Sequence, residues 1–407
     1  MNYLLNMREV SYALSEALDY VGIDDTMHGK RVAFMAAEVA KKLAWPEERI
    51  DEIIMTGMLH DCGVSSTDVH SHLVNELDWD NSQVHCVRGG SLLEKVSIYK
   101  RYVPAVRYHH THWNELPDSL DPSVQENANL IYLVDRVDAL RVQIGDANMQ
   151  ERDEIGKIVA KYAGSMFSPG LVDTYLECAQ TDSFWFYMEA EPLNGYFDEW
   201  IEKGGSEEVS FECLKNIATM FADVVDAKST FTAEHSYSVA SVAKCLSRLM
   251  GLSQKQEETI VLAALLHDLG KLRVADAILY KPGPLNEEER HAMNRHGFDS
   301  QMILRKISGM KEISRIASLH HEHLDASGYP YHLRSEQIPI EVRVLTVADI
   351  FQALIQDRPY RSGLSAQEAL EILEKMGSEG KIDSEVVACV AANLQECYLH
   401  AWHTEKL

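Results

Sequence analysis

Apolar side chains recur along most of the chain at spacings of three and four residues, which is the period of one face of an α-helix. In the second half this pattern runs through Val239, Val242, Ala243, Leu246 and Leu249. In the first half it runs through Val32, Met35, Ala36, Val39 and Leu43. Polar and apolar residues rarely alternate over a stretch long enough for a sheet. The pattern therefore predicts an all-α fold.

One helix start can be predicted from two side chains. Asn286 follows the turn-forming segment 281–284 and precedes Glu289 by three residues. This spacing is typical of a capping box, in which each side chain accepts a hydrogen bond from the other residue's backbone N–H. A helix is therefore expected to begin directly after Asn286.

Histidine and aspartate positions repeat between the two halves of the chain. The first half contains, in order, His28, His60, Asp61, His85, His109, His110 and Asp135. The second half contains, in the same order, His235, His267, Asp268, His296, His320, His321 and Asp349. The spacings are nearly equal, and short insertions explain the small drift. The chain is therefore predicted to be a tandem duplication with domains at 1–203 and 204–407, divided near the polar, Gly-containing segment 202–206.

Each half thus offers five imidazoles and two carboxylates for a buried site. A lone His is usually a hydrogen-bonded core residue, but burying seven such groups together is costly unless they share a cation. They exceed what one tetrahedral ion can use, so two ions are expected, with Asp268 as the bridging carboxylate. Such a centre suits phosphodiester hydrolysis, because a bridging water is acidified and both the attacking and the leaving oxygen are stabilised. Mixed nitrogen and oxygen ligands favour Fe or Mn over Mg.

The order of these residues resembles the HD superfamily of metal-dependent phosphohydrolases. The second half adds the segments 267–271 (HDLGK), 320–330 (HHEHLDASGYP) and 357–361 (DRPYR). With them it is similar to an HD-GYP domain over residues 210–395. That family hydrolyses bacterial cyclic dinucleotides, chiefly cyclic di-GMP and in some members 3′,3′-cyclic GMP-AMP. The sequence departs from the family at Ala326, where Gly is usual, and the small size of Ala predicts little effect.

The resemblance implies a role for individual residues of the second half. One metal ion would be held by His235, His267, Asp268 and Asp349, and the other by Asp268, His296, His320 and His321. Lys271 would act with Asp268 in catalysis, by stabilising the transition state or protonating the leaving oxygen. The substrate would be bound by Arg358 and Arg361 and by the loop of Gly328, Tyr329 and Pro330. Some members hold a third ion through a Glu at the position of Phe231, so two ions are expected here.

The first half keeps the seven ligand-type residues and lacks most of the rest. Val64 replaces the Lys that follows the His-Asp pair, and no Gly-Tyr-Pro follows His109 and His110. Nothing equivalent to Arg358 or Arg361 follows Asp135, since the corresponding segment is 143–146 (QIGD). It is predicted to be a degenerate HD-type domain with a regulatory or dimerising role. Its seven residues, given above, form a second candidate metal site.

Composition restricts the partners. The chain has 38 Lys and Arg against 63 Asp and Glu, a net charge of -25, which argues against polymeric nucleic acid and against an anionic membrane. Seven cysteines without a Cys-x-x-Cys pair are typical of a reducing cytosol, and no segment is typical of a signal peptide or a membrane span. A cytoplasmic protein is expected, with a homodimer or docking onto a nucleotide cyclase left open.

The leading hypothesis is a metal-dependent phosphodiesterase that converts cyclic di-GMP or 3′,3′-cyclic GMP-AMP to a linear 5′-phosphorylated dinucleotide, using a hydroxide that bridges two metal ions. One alternative is a mononucleotide phosphohydrolase, which the Gly-Tyr-Pro segment and the two arginines disfavour. The other alternative is a non-catalytic module that senses a cyclic dinucleotide or docks on a cyclase. The complete ligand set and Lys271 disfavour that alternative.

Overall fold

A computed structural model describes residues 2–21, 27–228, 235–357 and 362–402 of the chain. Within these ranges the regular structure is almost entirely helical, which confirms the predicted all-α fold. The exceptions are two short strands, β1 (Asn2–Leu5) and β2 (Glu207–Ser210), which pair with each other. Among the described helices, none is long and apolar enough to cross a membrane.

The chain folds into two compact units, residues 6–207 and residues 208–402 together with 2–5. The sequence predicted the division at 203 and 204, whereas the structure divides the chain between Glu207 and Glu208. Residues 2–5 belong to the second unit because β1 pairs with β2. In addition, the Asn2 amide donates to Glu208 at 3.1 Å and the Tyr3 hydroxyl donates to Glu258 at 3.1 Å.

The first unit consists of helices joined by short connections. Its α-helices are α1 (Met7–Asp19), α2 (His28–Lys42), α3 (Glu47–Leu59), α4 (Thr67–Asn75), α5 (Gln83–Glu94), α6 (Val103–Tyr108), α7 (Pro122–Ile144), α8 (Met149–Lys161), α9 (Pro169–Ala179), α10 (Asp182–Phe186) and α11 (Ala190–Glu202). Short 3₁₀ helices span Ser97–Tyr102 and Trp113–Glu115. Helix α2 packs against α3 and α7.

The second unit repeats this arrangement. Its α-helices are α12 (Phe211–Lys228), α13 (His235–Leu249), α14 (Gln254–Leu266), α15 (Asp276–Leu279), α16 (Glu287–Asn294), α17 (His296–Leu304), α18 (Lys311–Ser318), α19 (Ile340–Ile355), α20 (Ala366–Ser378), α21 (Ser384–Ala392) and α22 (Leu394–Trp402). Short 3₁₀ helices span Leu269–Arg273, Ser308–Met310 and Ser335–Gln337. Helix α13 packs against α14 and α19, as α2 packs against α3 and α7.

The predicted capping box opens α16. The Asn286 side chain accepts from the Glu289 N–H at 2.8 Å, and the Glu289 carboxylate accepts from the Asn286 N–H at 2.8 Å. The prediction is confirmed, because both side chains satisfy backbone donors that an open helix end leaves without partners.

A glycine after each His-Asp pair lets two backbone segments touch. A Cβ at Gly63 would lie 1.9 Å from the His85 carbonyl oxygen, and a Cβ at Gly270 would lie 2.1 Å from the His296 carbonyl oxygen. Neither position can carry a side chain. The same close approach at matching positions is what a tandem duplication predicts, and it brings the His-Asp pair against the helix that holds the next ligand-type His.

Candidate metal centres

The five histidines and two aspartates of the second unit converge on one centre. They come from the start of α13 (His235), the residues after α14 (His267 and Asp268), the start of α17 (His296), the residues after α18 (His320 and His321) and the interior of α19 (Asp349). All are buried except His321, which is half-buried. Most of these residues lie at or next to a helix end, so the packing of the separate helices brings them together.

The Asp268 carboxylate lies between two groups of imidazoles. Its Oδ2 is 3.3 Å from His267 Nε2 and 3.7 Å from His235 Nε2, whereas its Oδ1 is 3.5 Å from His296 Nε2. Asp349 Oδ1 closes the first group, 3.4 Å from His235 Nε2. Each carboxylate oxygen of Asp268 therefore faces a different group, which is the position that a bridging ligand needs.

Hydrogen bonds on the far side of the rings fix which nitrogen faces the centre. His267, His296 and His320 each have Nδ1 at 2.7 Å from the carbonyl oxygen three residues earlier, and His235 Nδ1 is 2.6 Å from the Gln352 side-chain oxygen. These acceptors hold the proton on Nδ1 and leave a lone pair on Nε2.

The facing lone pairs fit a cation. His296 Nε2 and His320 Nε2 are 3.2 Å apart, and two lone pairs at that distance repel unless an ion lies between them. Nitrogens bound to one ion at about 2.1 Å are about 3.0–3.4 Å apart. Asp268 Oδ1 is buried and accepts no hydrogen bond from the described part of the chain. The second-unit residues therefore fit metal ions.

The electrostatics agree with this arrangement. Burial lowers the pKa of His296 to about 4 and the pKa of His321 to about 3, so both rings are neutral at pH 7. Burial would raise the pKa of Asp268, but His267 and Lys271 outweigh it and hold that pKa well below its usual range. Burial would lower the pKa of His267, but Asp268 and Asp349 raise it to about 9. In the absence of an ion a second proton, on His267 Nε2, balances the carboxylates, and metal binding displaces that proton.

Lys271 is the residue that the structure brings closest to Asp268. Its ammonium group donates to Asp268 Oδ2 at 2.5 Å from the 3₁₀ helix that follows the His-Asp pair. Arg358 and Arg361, predicted to bind substrate, lie outside the described residues, as does Phe231.

The predicted Gly-Tyr-Pro loop lies beside the centre. The Tyr329 ring is 4.7 Å from the His321 ring, measured between ring centroids. A Cβ at Gly328 would lie 2.2 Å from the His323 backbone nitrogen, so only glycine fits there. The loop is held by Glu322, a buried carboxylate that accepts from the backbone N–H of Tyr331 at 2.6 Å.

Two residues that position the site were not singled out from the sequence. Gln352 holds the His235 ring, and its signal is its place three residues after Asp349, on the same face of α19. Glu322 holds the loop, and its signal is its place directly after the His-His pair. Both are polar, buried and hydrogen-bonded, which pattern reasoning on ligand types alone does not detect.

Ala326 has an unusual backbone conformation. Its small side chain predicts little effect of replacing Gly, and the residue has φ 65°, in the left-handed region that favours glycine. The backbone, and not the volume, explains why the family places Gly here, since a Cβ is strained at positive φ.

The first unit repeats the convergence of its seven ligand-type residues. Asp61 Oδ2 is 3.5 Å from His60 Nε2, and Asp61 Oδ1 is 3.4 Å from His85 Nε2. His60 Nδ1 lies 2.7 Å from the Gly57 carbonyl oxygen, and its buried Nε2 has no hydrogen-bond partner among the described residues. His85 Nε2 and His109 Nε2 are 3.1 Å apart, a distance that suits two nitrogens bound to one ion, so this donor set also fits a metal.

The surroundings of the first-unit centre differ. Buried Arg136 donates to Asp135 Oδ2 at 2.9 Å, and His28 Nδ1 lies 2.8 Å from Asp138 instead of a neutral amide. Cys86 Sγ lies 3.8 Å from His85 Nε2. Two described cavities beside His28 and Asp61 measure about 20 Å³ and about 10 Å³, each with room for about one water molecule.

Two helical units, each with five His and two Asp converging on a centre, define a tandem HD-domain protein. The HD domain family matches residues 27–140 and, in a second match, residues 219–386. The 3′3′-cGAMP-specific phosphodiesterase 1 of Vibrio cholerae is 36% identical over 409 residues, covering 97% of this chain and 93% of that protein. A cyclic di-GMP phosphodiesterase response regulator of Xanthomonas campestris is 39% identical over 142 residues, covering 33% of this chain and 36% of that protein.

A solved structure of a cyclic GMP-AMP-specific phosphodiesterase of Vibrio cholerae has the same fold, with a TM-score of 0.66, 24% identity, and coverage of 97% of this chain and 98% of that one. The chain therefore belongs to the HD superfamily of metal-dependent phosphohydrolases and, within it, to the HD-GYP family of cyclic dinucleotide phosphodiesterases. The predicted family and enzyme class are confirmed.

Proposed function

We propose that the second unit hydrolyses 3′,3′-cyclic GMP-AMP in preference to cyclic di-GMP. The observation that carries this preference is the extent of similarity along the chain. The 3′3′-cGAMP-specific phosphodiesterase 1 of Vibrio cholerae covers 97% of this chain, both units included, whereas the cyclic di-GMP phosphodiesterases of Thermotoga maritima and Xanthomonas campestris cover 58% and 33%. The tandem arrangement, and not the HD-GYP unit alone, is thus what this chain has in common with the cGAMP-specific protein.

The residues of the second unit fit two metal ions. His235, His267, Asp268 and Asp349 would hold one ion, and Asp268, His296, His320 and His321 would hold the other, with Asp268 shared. Their mixed nitrogen and oxygen donors support Fe or Mn. When bound, such ions supply a nucleophile at neutral pH and stabilise negative charge on the attacked phosphate.

The chain's own residues orient and balance this site. The Nδ1 hydrogen bonds of His267, His296 and His320 hold the rings in place. Lys271 lies on Asp268 and brings a fixed positive charge to the phosphate, where it stabilises the transition state or protonates the leaving oxygen. Water adds to one phosphorus and the P–O3′ bond breaks, so the product is linear, with a free 3′-hydroxyl and a 5′-phosphate.

The Gly-Tyr-Pro loop would border the substrate. Tyr329 is beside His321, and its ring offers a flat face to a nucleobase. Arg358 and Arg361 keep the role that the resemblance gives them, which is to bind phosphate or a guanine edge.

The first unit has a different role in this proposal. It lacks the lysine and the Gly-Tyr-Pro loop, so we assign it a regulatory or dimerising role. The seven cysteines are all free, which supports action in a reducing cytosol.

One assay tests the proposal. The full chain, loaded with Fe or Mn, is incubated with 3′,3′-cyclic GMP-AMP, its 2′,3′ isomer, cyclic di-GMP and cyclic di-AMP, and the products are separated. We expect a linear dinucleotide from 3′,3′-cyclic GMP-AMP, with kcat/KM at least about tenfold above the others, a difference of about 1.4 kcal/mol. Equal or faster turnover of cyclic di-GMP would refute the preference. No turnover of any substrate would refute the enzyme and favour a sensing module.

A further inference from the structure

We propose that the first unit holds a single metal ion in a closed site made by Asp61, His85, Cys86 and His109. The Cys86 thiolate is the ligand that distinguishes this site from the centre of the second unit. This site does not depend on which dinucleotide the second unit hydrolyses.

The distances that join His85 and His109 to each other and to the other two donor atoms suit a tetrahedral ion. His85 Nε2 and His109 Nε2 are 3.1 Å apart, and Cys86 Sγ is 3.8 Å and 3.9 Å from them. Asp61 Oδ1 is 3.4 Å from His85 Nε2 and 3.9 Å from His109 Nε2. A tetrahedral zinc site with ordinary bond lengths needs about 3.4 Å between nitrogen or oxygen ligands and about 3.6 Å between sulfur and nitrogen. Each distance lies within about 0.5 Å of these values.

The cysteine stands where the second unit cannot place a side chain. Cys86 follows His85 as Gly297 follows His296. A Cβ at Gly297 would lie 2.9 Å from the Ser318 carbonyl oxygen, so the second unit has no room for a thiol there. The donor group around His296 in the second unit is instead His296, His320 and His321.

His110 of the first unit corresponds to His321 of the second unit, but it contacts a carboxylate. His110 Nε2 lies 3.2 Å from Asp135 Oδ2. One donor group consists of His28, His60 and Asp61, and the donor group around His85 consists of His85, Cys86 and His109. His109 Nδ1 lies 2.6 Å from the Val106 carbonyl oxygen, which directs its Nε2 lone pair to this group. Cys86 thus takes the place that His321 has in the second unit.

The positive charge of Arg136 disfavours a second metal ion in the first unit. Arg136 donates to Asp135 Oδ2 at 3.2 Å and 2.9 Å and is 2% exposed. The next residue after Asp349 in the second unit is the uncharged Ile350. A guanidinium stays charged in proteins, so it repels an ion held by His28 and His60 on that side of Asp61.

Four protein ligands leave no open position, which is typical of a structural site and not of a catalytic one. Thiolate and imidazole donors together favour zinc. In the metal-free chain the Cys86 thiol lies 3.4 Å from the Ser82 carbonyl oxygen and can donate to it. Metal binding releases that proton to solvent as the sulfur becomes a ligand.

Cobalt substitution tests this site in the full chain. Cobalt bound to a thiolate absorbs in the near ultraviolet through sulfur-to-metal charge transfer, whereas cobalt bound only by His and Asp does not. We expect this band in the wild type and in His267→Ala, which removes a second-unit ligand. We expect Cys86→Ser to lose the band and to bind one ion per chain fewer, measured by elemental analysis.

Two control variants exclude other thiols. Cys62 is a second buried cysteine of the first unit, and Cys245 lies near Glu396 and His400 in another group of metal-type side chains. Cys62→Ser and Cys245→Ser should both keep the band. A band that persists in Cys86→Ser, or that is lost in Cys245→Ser alone, overturns the assignment.

A measurement on the wild type covers the case in which Cys86→Ser does not fold. X-ray absorption at the zinc edge of the zinc-loaded chain should contain a sulfur neighbour at about 2.3 Å, unchanged in Cys245→Ser. A spectrum with nitrogen and oxygen neighbours only refutes the proposal.

Discussion

The two units contain the same seven ligand-type residues in the same order, and they differ in what surrounds them. In the second unit the Lys271 ammonium group donates to Asp268, whereas the first unit has the apolar Val64 at the position of Lys271. In the first unit the Arg136 guanidinium donates to Asp135, whereas the second unit has Ile350 at the position of Arg136. The duplicated fold therefore preserves the ligands, whereas the neighbouring charges separate the two centres.

The hydrogen bond behind the first histidine shows the same contrast. His235 Nδ1 contacts the neutral Gln352, whereas His28 Nδ1 contacts Asp138, which is itself paired with Arg31 at 2.7 Å. Burial would raise the pKa of Asp138, but Arg31 outweighs it and holds that pKa well below its usual range. The first-unit centre thus carries its own buried ion pairs, which balance charge without a second metal ion. A shared ligand pattern therefore predicts a fold and a donor set, but not a reaction.

Removal of one ligand in each unit should give the largest contrast. We expect His267→Ala to abolish hydrolysis, a loss of at least about 1000-fold, because an ion that supplies both the nucleophile and charge stabilisation contributes several kcal/mol. The matched change His60→Ala should leave a partly active enzyme. Product formation at saturating substrate measures both. Loss of all activity in a folded His60→Ala chain would contradict the assignment of catalysis to the second unit.

Exchanging the residue three positions after each His-Asp pair is the next test. Lys271→Val gives the second unit the first unit's residue, and we expect kcat to fall about 100-fold, the effect of losing one charge-stabilising donor in a transition state. KM should change less, since Lys271 lies next to Asp268 at the metal centre and does not bind the parts of the substrate away from the reacting phosphate. Val64→Lys in the first unit should not change kcat. An unaltered kcat in Lys271→Val would show that the lysine only balances the charge of Asp268.

Loss of the Gln352 side chain should have a smaller effect on metal binding. Gln352→Ala removes the acceptor that orients His235, and such supporting contacts contribute about 10–100-fold to metal affinity. Activity should recover as the Mn concentration is raised, which separates this positioning role from a catalytic one. Gln254→Ala, at a glutamine that pairs with Glu258, is the control and should titrate as the wild type does. A loss of activity that excess metal does not restore would contradict the positioning role.

Features that depend on residue type and spacing could be predicted from the sequence, whereas features that depend on three-dimensional contacts or backbone conformation could not. Helical periodicity and the His/Asp repeat indicated the fold and the ligand set, because both depend on residue type and spacing. Gln352 and Glu322 were missed because a buried amide or carboxylate that supports another residue has no spacing signal of its own. Cys86 was also missed, since a cysteine beside a histidine is informative only once its distance to His109 is known. The positive φ of Ala326 was missed because side-chain volume does not report backbone conformation.

Replacing the two alanines with positive φ by glycine should have the smallest effect, which is on the free energy of unfolding. Ala326 in the loop specific to the second unit and Ala44 in the first unit both have positive φ, 65° and 55°. The left-handed region costs a residue with a Cβ about 1–2 kcal/mol, and the greater freedom of unfolded glycine returns about 0.5–1 kcal/mol of this. Ala326→Gly and Ala44→Gly should therefore each stabilise their own unit by about 0.5–1 kcal/mol, seen as a higher denaturant midpoint, with kcat unchanged. If Ala44→Gly stabilises the chain but Ala326→Gly does not, packing of the Ala326 methyl group offsets the strain, and the loop tolerates alanine for that reason.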